Sequence, residues 1–214
     1  MTILFYNTIG DYMKTIKESY SSLLVIQKSE FIANIYPVNS IEEINDILTK
    51  TRKKYYDATH NCYSYVLGDN GEIVKCSDDG EPSQTAGVVI YDVLKKNELT
   101  NVLAIVTRYF GGIKLGAGGL VRAYSSTTAL ALQNIKTFNL TPCLEIKLTI
   151  PYTFVNLVIK ALTNYTLIKK EFDSLVTLTY QIPKANYNNI KNDLISLTKN
   201  EINIEIIKEM MISL

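Results

Sequence analysis

Residues Thr107–Leu132 read TRYFGGIKLGAGGLVRAYSSTTALAL. This stretch holds five of the chain's ten glycines, Gly111, Gly112, Gly116, Gly118 and Gly119, with Arg108 before them and Arg122 after. Upstream, NVLAIVTRYF is almost wholly apolar, and its length and β-branched content predict a buried central strand. Downstream, Leu120, Ala123, Tyr124, Thr127, Ala131 and Leu132 recur at helical spacing and predict a helix from about Gly118 to Asn134. A strand, a glycine loop and a helix in series offer backbone N–H groups and a helix N-terminus to an anion, with Lys114 inside the loop. The loop is not Walker A, since GxxxxGK[ST] is missing. Nor is it a dinucleotide fingerprint, since Gly116-x-Gly118 lacks the third glycine. The alternative is that the glycines serve positive φ and tight strand–helix packing.

The chain has 214 residues, enough for one large domain or two small ones. Residues 1–137 carry 14 Lys/Arg against 14 Asp/Glu, and the rest carry 8 against 7, so any surface for a polyanion must be a local patch. Cys62, Cys76 and Cys143 form no CxxC pair and His60 is the only histidine, which argues against structural zinc and for free thiols. The N-terminus lacks a basic region followed by an apolar run, and no window approaches a membrane span. The expectation is a cytoplasmic protein.

Working outward, residues 20–28 and 30–38 read as strands. Ser40 with Glu43 forms a capping box ahead of a helix to about Lys54. CYSYVLG and GEIVKCS flank Asp69-Asn70 as a hairpin. SDDGEPSQTAG is a turn-rich loop, with Ser83 or Thr85 as the cap of a helix ending near Lys96. Residues 136–143 read as a linker. Beyond it, strand 144–150, helix 152–163, strands 166–172 and 175–182, helix 184–198 and strand 202–209 give βαββαβ, the ferredoxin-like order. The fold class is therefore α+β with two domains, residues 1–138 and 139–214.

Asp78, Asp79 and Glu81 crowd three carboxylates into one loop. They read as a magnesium site, as a general acid/base pair, as turn-formers before a helix, or as partners that brace Arg108 or Lys114. His60 precedes a strand and reads as a hydrogen-bonded structural residue or a base. No GxSxG elbow is present.

ATHNCYSY, SDDGEPSQTAG and VTRYFGGIKLGAGGLVRAYS occur in an order and at a spacing that closely resemble the Impact (YigZ) family, over about residues 20–133. The resemblance implies an N-terminal α/β sandwich like domain IV of elongation factor G and the second domain of a small-subunit ribosomal protein. It also implies a C-terminal domain similar to the last domain of elongation factor G. Eukaryotic Impact proteins are translational regulators that bind a partner through this and an additional N-terminal domain. That domain has no counterpart in these residues, so no partner is carried over. Nucleic-acid binding is suggested for bacterial members by fold. Gln84 stands where the family usually has glycine.

The expectation is a translation-associated protein that binds RNA or the ribosome. Arg108, Lys114 and Arg122 contact phosphates with the amides of Gly111, Gly112, Gly116, Gly118 and Gly119, while His60 and Lys75 line the same surface. A hydrolase or transferase on a phosphorylated small molecule, and a protein–protein docking module, are the alternatives. No catalytic residue, metal or cofactor is assigned.

Overall fold

The computed structural model describes residues 13–133 and 135–213. The fold is α+β, and the chain divides into two compact units between Leu140 and Thr141. In the first unit, β1 (Lys14–Ile16) precedes a hairpin of β2 (Tyr20–Ile26) and β3 (Ser29–Pro37). Its two-residue turn, Gln27-Lys28, has φ of 45° and 64°. Both central residues are left-handed, as in a type I′ turn, although neither is glycine or asparagine.

Helix α1 (Ile41–Lys54) starts as expected: Ser40 Oγ accepts from Glu43 N at 3.1 Å, and Glu43 Oε2 accepts from Asn39 N. Strands β4 (His60–Leu67) and β5 (Ile73–Ser77) form the second hairpin, its connection bent at Gly68 and Gly71, both with positive φ. Then come α2 (Gly87–Lys96), β6 (Val102–Tyr109) and α3 (Gly116–Leu132). Helix α3 begins two residues earlier than predicted. Asn134, its expected end, lies outside the described residues, as do residues 1–12.

The sheet order is β2-β3-β6-β4-β5, all antiparallel. Strand β6 is central and covered on both faces. Val102, Ala104 and Val106 pack with Phe31, Ile90, Leu94, Leu120 and Tyr124 beneath α2 and α3. Leu103 and Ile105 pack with Ile44, Leu48, Tyr63 and Tyr65 beneath α1. Burial on both sides is why this strand reads as an unbroken apolar run.

One element departs from expectation. Residues 136–143 do not form a linker, because strand β7 runs from Thr137 to Ile150. Residues 137–139 pair with β1, and 143–150 pair with β9. Pro142, which made the stretch look like loop, falls between these two ladders, where a missing N–H breaks no bond to either.

The second unit continues from β7 with α4 (Val155–Ala161), β8 (Thr166–Phe172), β9 (Val176–Pro183), α5 (Tyr187–Leu197) and β10 (Asn203–Ser213). Single 3₁₀ turns, 152–154 and 184–186, lead into the two helices. The order β10-β7-β9-β8 is the 4-1-3-2 arrangement of a ferredoxin-like βαββαβ unit. Its core joins Ile146, Leu148, Ile150, Leu178 and Tyr180 to Val158, Ile190 and Leu194.

Candidate functional site

Helix α2 has no cap from Ser83 or Thr85. Its N-cap is Ala86, which supplies no side-chain bond. Asp78 does the work from further upstream: its Oδ1 accepts from Ala86 N (3.0 Å) and Gly87 N (2.8 Å), and its Oδ2 accepts from Gln84 N (2.9 Å). A carboxylate on the first amides of a helix satisfies orphan donors and complements the helix dipole. Gln84 holds φ of 62°, so the left-handed conformation suited to glycine is kept in its absence. Asp79 Oδ2 accepts from Asn61 N at 2.7 Å, and Asp79 O faces His60 Nδ1 at 2.8 Å. The three acids of this loop thus do three separate jobs, and among the described residues no group of three or more His, Cys, Asp and Glu converges as a metal site.

Glu81 has the third job. Strand pairing sets Phe31, Arg108 and His60 side by side on the face beneath α2 and α3. Arg108 Nη1 donates to Glu81 Oε1 at 2.7 Å, and Tyr124 Oη donates to the same oxygen at 2.8 Å. Cys62 Sγ bonds Tyr124 Oη at 3.3 Å. The guanidinium lies between the Phe31 and Phe110 rings, 5.3 and 5.5 Å from their centroids. Arg108 is only 5% exposed, so it is a buried partner of Glu81 and not a surface cation. Burial pushes the Cys62 thiol up to about 12, and burial together with Cys62 and Glu81 raises Tyr124 strongly, so both stay protonated.

The glycine loop divides by cause. A Cβ at Gly111 would collide with the backbone of Lys28 and Ser29, because the loop lies against the β2–β3 turn, where Gly111 N donates to Ser29 Oγ at 3.1 Å. Gly112 and Gly116 have φ of 84° and 69°. A Cβ at Gly119 would sit 2.9 Å from Leu115 Cβ. Gly118 has none of these reasons: it is exposed, its φ is not positive, and a Cβ there would meet nothing. The chain's own packing does not ask for glycine at this position.

Gly118 stands in the first turn of α3, whose N-cap Leu115 provides no side-chain bond and whose first turn has no acidic residue. Gly116, Ala117 and Gly118 are exposed, and the leading amides have no capping side chain to offset their partial positive charge. Lys114 and Arg122 are exposed nearby, with no ion pair among the described residues. Beside them, Glu81, Arg108, Phe110, Lys114, Gly116 and Leu120 line a cavity of ≈ 350 Å³. Phe110, 46% exposed, was not singled out from sequence. An aromatic directly between a buried strand and a glycine pair was the available signal.

Lys75 does not belong to this surface. It pairs with Tyr65, which faces α1, five residues along β4 from His60 and therefore on the opposite side of the sheet. His60 is mostly buried, with its Nε2 3.8 Å from Glu81 Oε2.

Residues 27–132 match the Impact N-terminal domain family. IMPACT family member YigZ of Escherichia coli (strain K12) is 31% identical over 189 residues, 86% of this chain and 92% of that protein. The chain belongs to the IMPACT family. A second IMPACT member, YvyE of Bacillus subtilis (strain 168), is 50% identical over 121 residues, 56% of each chain. A crystal structure described as that of a hypothetical protein shares the fold with a TM-score of 0.65 and 27% identity, covering 94% of this chain and 99% of its own. Among the described residues, no helix of this IMPACT protein is long and apolar enough to cross a membrane.

Proposed function

We propose that the protein is a translation-associated factor that binds RNA or the ribosome through the exposed N-terminus of α3. Gly118 carries this reading. A glycine in a helix is disfavoured by up to about 1 kcal/mol relative to alanine, and nothing inside the protein requires it at position 118. A bare backbone there lets an external group reach the first-turn amides, and a phosphodiester suits them. Lys114 and Arg122 flank the position as the cations of the contact, while Arg108 holds the loop's base through Glu81. Contacts of this kind give affinity without reading sequence. Asp78, Asp79 and one oxygen of Glu81 are engaged by the fold, which favours contact over turnover.

The test is fluorescence anisotropy with single-stranded RNA, comparing the wild type with Lys114→Ala/Arg122→Ala. Both side chains are exposed, so the variant should fold normally and bind more weakly. Equal affinities would remove this surface from the reading.

A further inference from the structure

Two side chains that line the cavity at the α3 N-terminus, Arg108 and Glu81, have hydrogen-bonding capacity left over. Arg108 lines it with its side chain only 6% exposed, and the Arg108 Nε has no hydrogen-bond partner among the described residues. Buried donors without partners are rare and call for an explanation. Glu81 lines it too. Its Oε1 serves Arg108 and Tyr124, whereas Oε2 has only His60 Nε2 at 3.8 Å, too far for a hydrogen bond. A donor short of an acceptor therefore adjoins an acceptor short of a donor. Pro82, Leu115 and Leu120 make much of the remaining wall apolar.

A phosphate or carboxylate does not fit such walls, since it brings acceptors alone and would meet the Glu81 carboxylate. A flat group with an N–H beside an acceptor on one edge does fit, and that is the Watson–Crick edge of a nucleobase. The volume, ≈ 350 Å³, lies at the low end of the roughly 300–1,000 Å³ of small-molecule clefts, which suits one base and not a stacked run. Phe110 lines the same cavity with 46% of its surface exposed, giving a ring for the base to stack on. Lys114 and Gly116, also on its wall, place a cation and the first helical amide beside it for the same nucleotide's phosphate.

We infer that this cavity receives a single unstacked nucleobase of a single-stranded RNA. The inference rests on the RNA-binding reading above and adds that a base, and not only backbone, is held. The inferred pairing is the unpartnered Arg108 Nε with the base's acceptor and Glu81 Oε2 with the base's N–H.

The test uses two oligoribonucleotides of equal length, one with all its bases and one abasic throughout, titrated against the full chain and against Phe110→Ala. A urea midpoint for the variant confirms that it folds. The wild type should bind the base-bearing strand more tightly, and Phe110→Ala should lower that affinity by about 5- to 150-fold while leaving the abasic strand unchanged. Equal binding of the two strands by the wild type, or no effect of Phe110→Ala on the base-bearing strand, overturns the inference and leaves the amide surface standing. Failure of the wild type to bind either strand overturns both.

Discussion

Replacing Glu81 with alanine should unfold much of the protein's margin of stability while touching no exposed charge. Glu81 is 8% exposed and Arg108 is 5% exposed, and one carboxylate oxygen takes both Arg108 Nη1 at 2.7 Å and Tyr124 Oη at 2.8 Å. Glu81→Ala leaves a guanidinium buried between two aromatic rings with no counter-charge. Removing one member of a buried pair costs about 3–5 kcal/mol. Tyr124→Phe, which removes one hydrogen bond and keeps the pair, should cost about 0.5–1.5 kcal/mol. Glu81→Leu/Arg108→Met deletes both charges at similar bulk and should recover most of the loss, because burying an ion pair carries its own desolvation penalty. Urea unfolding followed by far-UV circular dichroism measures all three. A loss below about 1 kcal/mol for Glu81→Ala, the range of an exposed pair, would refute the account of Arg108 as a buried structural cation. So would a double variant no better than the single one.

Two further substitutions separate folding from binding. Gly118→Ala should stabilise the protein by up to about 1 kcal/mol, since its Cβ enters open space on a helical turn, yet weaken RNA binding; urea midpoints and anisotropy on one preparation check both, and unchanged affinity would contradict the role given to Gly118. Gln84→Gly should raise stability by up to about 1 kcal/mol by relieving a left-handed glutamine, again read from the urea midpoint, and a loss would show that the Gln84 side chain outweighs the backbone strain.

Much of the architecture was legible because it follows local rules. The central strand showed itself as an apolar run, since β6 is buried on both faces, and the second unit showed its βαββαβ order through clean changes of period. The start of β7 was hidden by Asn139 and Pro142, which look like loop residues but sit at or between two ladders. The α2 cap was misplaced because the residue that reaches its first amides is Asp78, eight positions before Ala86. The Gln27-Lys28 turn carries no glycine or asparagine to announce its positive φ. In the site, the glycines and the flanking cations were visible, but their division was not. Whether an arginine points to solvent depends on a partner 27 residues away, and Arg108 found Glu81. Lys75 was grouped with His60 although alternation along β4 sets them on opposite faces.

The central claim is that the α3 N-terminus meets phosphate, and salt dependence tests it most directly. The measurement is the slope of log affinity against log salt for single-stranded RNA, taken on the wild type and on Lys114→Ala/Arg122→Ala. Each phosphate contact on a single strand contributes about 0.7 to that slope. If both side chains touch phosphates, the variant's slope should be shallower by about 1.4. Two lines of the same slope and the same affinity would contradict the claim.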